Sequence, residues 1–159
     1  MKKIILYLFL LFNLSMEAQN KPLHNTFDFW VGNWNAWWND SLRGTNSITK
    51  TLKNTVVEEN FSFNDGSFLG KSWTLYDATT NSWKQTWVDD TGAYLLFTGG
   101  KEDDKVILNM TEPRTKNGNK VYMRMVFFNI SHESFDWDWQ SSEDKINWKS
   151  TWAIHYKRK

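Results

Sequence analysis

Cysteine is absent from this 159-residue chain and proline occurs only twice. Without cysteine there is no disulfide staple, so the fold must be held by burial alone. The two prolines, Pro22 and Pro113, fall in an entry segment and in a turn, where they break no strand ladder. Charge of one sign is also lacking. Lys and Arg number 19 against 18 Asp and Glu, and the closing KRK is too short to read as a nucleic-acid footprint. No nucleic-acid partner is expected. The single long apolar run, residues 4–14, is about half of what a membrane-spanning helix needs.

That run has another reading. Lys2 and Lys3 precede it, and Ala18, with Met16 two positions before, follows it. This is the pattern of a secretory signal peptide over residues 1–18. No cysteine follows the cut, so no lipoprotein anchor is expected. Residues 19–159 then form one exported domain, periplasmic or extracellular, of about 140 residues, long enough for a real core. Removal of Lys2, Lys3 and Glu17 leaves 17 basic and 17 acidic residues.

What is abundant is aromatic surface. Eleven tryptophans and eleven phenylalanines are the obvious source of burial energy. After Gly32 there is almost no helical periodicity. Short β-rich runs alternate with turn formers such as NDG, DDTG and SSEDKI. Strands are predicted near 33–38, 45–53, 55–63, 67–76, 82–88, 93–99, 105–112, 121–129, 134–141 and 147–157. NDSLRG, GGKEDD and PRTKNGNK read as separators. Ten strands with short connections predict an all-β, antiparallel meander that closes into a barrel, because closure removes unpaired edges. A two-sheet sandwich is the alternative.

The stretch FDFWVGNW, residues 27–34, carries Phe27, Phe29, Trp30 and Trp34. Thr26 is a candidate cap for a single helical turn, Asp28 suits its first turn and Gly32 its end. Such a turn would plug one end of the barrel. Burial of each large aromatic is worth roughly 1.5–3 kcal/mol.

Gly32-Asn33-Trp34 resembles the G-x-W opening of lipocalin-like (calycin) barrels. More closely, FDFWVGNW, GKSWTLYD, SWKQTWVDDTG and the terminal HYKRK resemble a family of secreted bacterial barrels of unknown function, over about residues 27–158. The resemblance implies a lipocalin-like fold and an exported address, but no reaction. By analogy it also implies an arginine on the last strand, here Arg158, stacked over Trp34.

Side-chain alternation assigns faces. On the last strand Trp148, Ser150, Trp152, Ile154, Tyr156 and Arg158 share the apolar, inward face. His155 then points outward, which argues against a haem ligand near the C-terminus; His24 and His132 fall in loops. Phe135, Trp137 and Trp139 alternate with Asp136, Asp138 and Gln140, read as a solvated exterior. Segment 142–148, SEDKINW, resembles an Asp-box with Ile146 in place of glycine and reads as a turn. No metal-ligand cluster, phosphate loop or nucleophile–His–acid set is present, so no cofactor or metal is expected.

Polar residues stranded on apolar faces remain. Glu59 shares a face with Val57, Phe61 and Phe63, and Gln85 lies between Trp83 and Trp87. Each needs a partner, either a structural hydrogen bond or a ligand. Arg124 is one candidate to neutralise Glu59. The leading expectation is a small apolar or aromatic ligand lined by Glu59, Trp83, Gln85, Trp87, Trp137, Trp139 and Trp152. An interior of about 300 Å³ or more is the size that supports it. The alternatives are a filled-core interaction module, a carbohydrate or haem binder, or an enzyme using Glu59 as a base.

Overall fold

The computed structural model describes residues 25–159. The expected signal segment lies outside them. Eleven strands follow a short 3-10 turn, Asp28–Trp30. They are β1 (Gly32–Trp38), β2 (Ser41–Thr51), β3 (Val56–Phe63), β4 (Leu69–Asp77), β5 (Ser82–Asp89), β6 (Tyr94–Glu102), β7 (Lys105–Met110), β8 (Arg114–Lys116), β9 (Asn119–Phe128), β10 (Ser134–Ser142) and β11 (Lys149–Arg158). All pairings are antiparallel. Ten strands run next to next, β11 pairs β1, and β9 pairs β10. The sheet therefore closes on itself as a ten-stranded, lipocalin-like barrel with no open edge, as the strand pattern predicts.

The strand ends differ from the sequence expectation where turns are tighter than NDSLRG, GGKEDD and PRTKNGNK suggest. Asn39 and Asp40 both take positive φ, a two-residue hairpin turn. Ser41 to Gly44 are thereby freed to pair, and β2 starts four residues earlier than expected. Asn117-Gly118 turns the same way. PRTKNGNK is thus not a bare turn: Arg114–Lys116 forms β8, an eleventh strand, against the start of β9.

The 3-10 turn closes one end, but Thr26 does not cap it. The capping position is Phe27, with no side-chain cap bond, and Val31 ends the turn. Asp28 in its first turn instead pairs with Lys50 at 2.7 Å. Phe27, Trp30 and Trp34 are buried and Phe29 is packed against them. Phe27 meets Trp83 at 4.8 Å, and Trp34 meets Phe135 at 4.8 Å. Gly32 opens β1 at φ 141, and a Cβ there would lie 2.2 Å from the Arg158 guanidinium. The first letter of G-x-W is thus fixed both by the backbone and by the arginine beside it.

Alternation holds along most strands and fails at two bulges. On β2 Arg43 is the extra residue, with Ala36 opposing Gly44 but Trp37 opposing Leu42, and the second bulge lies on β11. The β10–β11 register shifts between Trp139 and Gln140, so that Trp139 opposes Trp152 but Gln140 opposes Ser150. Thr151 is the extra residue. Trp152, Ile154, Tyr156 and Arg158 keep the inward parity, whereas Ser150 and Trp148 move to the outer face. Asp138 is consequently not solvated: it is buried, accepting from Gln140 at 2.7 Å and from Ser150 Oγ. Arg124 belongs to this outer cluster and does not neutralise Glu59. Its Nε donates to Gln140 at 2.7 Å and its guanidinium lies over Trp148. His155 faces outward against Asp136 at 2.6 Å.

Candidate functional site

The interior is filled by the plug at one end and hollow toward the other. A cavity of about 170 Å³ lies among side chains from β3, β5, β6, β9, β10 and β11, with Trp30 of the plug among its walls. Ten of its sixteen lining residues are aromatic. Trp137 and Trp139 stack with an interplanar angle of 7°, and Trp152 meets Trp137 edge-on at 5.5 Å. Gly70 makes room for another wall. A Cβ there would lie 2.2 Å from the Trp87 ring, so the indole lies flat across β4 only because residue 70 has no side chain. A wider depression of about 490 Å³ lies around Trp37, Phe128, Asp136, His155 and Lys157. Its polar members belong to the outer face, and Asp136 and His155 already satisfy one another. The interior cavity is the better candidate because it encloses a buried carboxyl.

That carboxyl is Glu59, which is 6% exposed. Oε1 accepts from Asn46 Nδ2 at 2.7 Å and Oε2 from Ser72 Oγ at 2.6 Å. Burial pushes its pKa up to about 7, and the bonds from Ser72 and Asn46 only partly oppose this. No ion pair to Glu59 occurs among the described residues. Tyr156 stands beside it. Its hydroxyl pKa is raised well above the ordinary value by burial first and then by the Glu59 charge, with an Asn46 hydrogen bond opposing.

Two other charges line the cavity. Asp89 accepts from Trp87 Nε1 at 2.9 Å and from Thr91 and Ala93. Burial pulls its pKa up, but these bonds together outweigh it and hold the group below its ordinary value. Arg114, from β8, is exposed. It comes from the hairpin that extends past the barrel strands.

The expected site residues therefore divide. Glu59, Trp87, Trp137, Trp139 and Trp152 meet around one cavity. Gln85 and Trp83 do not line it. Gln85 is buried behind Glu59, with Nε2 donating to Thr74 Oγ1 at 2.9 Å and Ser72 Oγ at 3.2 Å. Its Oε1 has no partner among the described residues. Trp83 is packed between Phe27 and Tyr76. Sequence reading did not single out Asn46, Ser72 and Thr74, although each alternates onto the inward side of its strand. Short polar residues at inward positions were the available signal.

The geometry defines a closed antiparallel β-barrel with an aromatic cavity that the buried carboxyl of Glu59 helps to line. Comparison with models of known protein families and with curated proteins returns no match.

Proposed function

We propose that this is a secreted binding protein that holds one small, mostly apolar or aromatic molecule inside the barrel. The cavity carries the reading. Protein interiors are close-packed and leave few voids larger than a water molecule, so about 170 Å³ of space walled by ten aromatic side chains does not fit a filled structural core. Its size also bounds the ligand. It falls short of the roughly 300–1,000 Å³ of sites for drug-sized molecules and is close to the about 150 Å³ that accommodates benzene. A single-ring compound fits wholly inside, whereas a long-chain lipid or a haem would have to extend out of it. The exported address rests on the basic start and short apolar run of residues 1–18.

Native mass spectrometry of protein purified from its own host tests the reading directly. A retained molecule of one-ring size is expected. Thermal melts with toluene and benzyl alcohol give a second readout, since a ligand that binds only the folded state raises the melting temperature. No retained molecule together with no shift would overturn the proposal.

One separate observation favours an interaction role. The outer face of β4–β6 leaves Leu69, Trp73, Leu75, Tyr94 and Leu96 exposed, an apolar patch of the kind that marks contact surfaces. Size-exclusion chromatography over a concentration series checks it, with self-association as the supporting result.

A further inference from the structure

We infer that the cavity selects a small organic cation, a primary amine on a single ring or of similar bulk, which places its ammonium against Glu59 and its apolar part among the indoles. The inference rests on the binding reading above and names the chemical class of its ligand.

Three features of the cavity converge. First, Glu59 is a buried carboxyl that lines the cavity and has no cationic partner among the described residues. A buried charge is costly unless it is paired. Arg114 shares the cavity but is exposed and forms no ion pair with Glu59, and the other positive side chains that a structural role would use lie elsewhere. Arg124 is on the outer face with Gln140 and Trp148, Arg158 is at the plug over Trp34, and Lys50 pairs with Asp28.

Second, the carboxylate is oriented but not saturated. An ionised carboxylate has about four acceptor positions, and Asn46 and Ser72 supply one donor each. Behind Ser72, Gln85 donates to the serine oxygen, so the chain of donors ends on Glu59. Positions on the carboxylate thus remain for a ligand N–H.

Third, the rest of the wall suits a cation. The indoles of Trp87, Trp137, Trp139 and Trp152 line the cavity, and an ammonium is attracted to an indole face by the ring quadrupole. An anionic ligand would meet two carboxylates, Glu59 and Asp89, with only the exposed Arg114 to pair it, and is selected against. A neutral hydrocarbon fills the space but leaves the carboxyl unpaired.

Calorimetric titration of the mature protein at about pH 8 with four probes of one size tests this: benzylammonium, benzyl alcohol, toluene and benzoate. Shifts of the tryptophan indole N–H signals in a nitrogen-15 spectrum place each probe. Benzylammonium should bind most tightly and benzoate least, with shifts at Trp87, Trp137, Trp139 and Trp152. Glu59→Gln should weaken benzylammonium by about 10- to 100-fold while benzyl alcohol and toluene hold within a few-fold.

Wild type alone gives an independent measurement if that variant does not fold. Benzylammonium affinity should rise from about pH 5 to about pH 8 as Glu59 ionises, and toluene affinity should not. The other titratable groups on the cavity are Tyr156 from β11, Asp89 from β5 and Arg114 from β8. Burial and Glu59 keep Tyr156 protonated through this range, and the bonds to Asp89 keep it ionised.

Neutral probes that bind as well as benzylammonium and ignore Glu59→Gln would overturn the amine inference and leave the binding reading standing. Failure of all four probes to bind or shift an indole would overturn both.

Discussion

The guanidinium of Arg158 sits 4.1 Å from the centre of the Trp34 ring, and the two residues are direct cross-strand partners on β11 and β1. Each is also tied elsewhere. Trp34 Nε1 donates to Trp30 O at 2.7 Å, while Arg158 donates from Nε to His132 O at 2.7 Å and from Nη1 to Val31 O at 3.2 Å. The pair therefore fastens the plug to the first strand, the last strand and the loop before β10. Trp34→Ala should cost about 3–5 kcal/mol as a large-to-small change at a fully buried site. Arg158→Ala should cost less, and the double variant less than the sum, because each change removes the same stack. A denaturant cycle checks this. Full additivity would show that the stack contributes nothing of its own.

Much of this barrel was legible because a period of two is hard to mistake. Glu59 between Val57 and Phe61, and Trp137 and Trp139 around Asp138, alternate cleanly, and the structure keeps those faces. What failed was local. A bulge at Thr151 reverses the parity of Ser150 and Trp148, and nothing in KSTWAIHY marks it. Asp138 was misread as solvated for the same reason, since the serine that covers it arrives only through the bulge. Trp83 and Gln85 sit on the inward face as alternation requires, but parity gives a face and not a height along the barrel. Both lie below the cavity, where the plug and the Ser72–Thr74 hydroxyls meet them. The Asn-Gly of KNGNK, by contrast, was a readable hairpin signal that marks β8 and β9.

Gln85 supplies the next test. Its amide nitrogen serves two hydroxyls with no solvent exposure, those of Thr74 and Ser72. Gln85→Leu leaves both short of a donor and should destabilise the fold. It also removes the unpartnered Oε1, which offsets part of the loss, so the net cost should be about 1 kcal/mol. Binding of toluene should change little because Gln85 does not line the cavity. A variant that loses toluene affinity while keeping its melting temperature would contradict this placement.

The 142–148 hairpin should depend on one carboxylate. Asp144 accepts from the backbone N–H of Ile146 and Asn147 at 2.8 and 2.7 Å, from Asn147 Nδ2 at 2.7 Å and from Ser142 Oγ at 2.8 Å. These bonds, led by the backbone of Asn147, hold its pKa well below the usual carboxylate range. Asp144→Ala should speed amide exchange at Ile146 and Asn147 and leave exchange in β3 and β9 unchanged. Faster exchange throughout the barrel would mean that the hairpin is not a separate unit.

Glu59 should give the fold an inverted pH dependence. In the unfolded chain it titrates near its ordinary 4.5, and in the folded barrel at about 7. Between these values the native state holds a proton that the unfolded state has lost, so stability falls as pH rises. Below the unfolded value the group contributes no slope. Above the folded value the loss is complete, at most roughly 3 kcal/mol. The carboxylates of Asp65, Asp77, Asp89 and Asp144 are lowered instead. They work the other way and on the acid side of this window, so wild type should be most stable at mildly acidic pH. Glu59→Gln removes the titration but keeps the volume. The two donors reach different oxygens of Glu59, so the amide NH2 of that variant replaces the acceptor of one of them, a cost of about 1 kcal/mol that is the same at every pH. Urea midpoints at about pH 5 and about pH 8 separate the two effects. Wild type should lose stability between them while Glu59→Gln stays nearly level, and the variant should equal or exceed wild type at the higher pH. Parallel profiles would mean that the carboxyl is already ionised at pH 5, with a cation or water reaching it through the cavity.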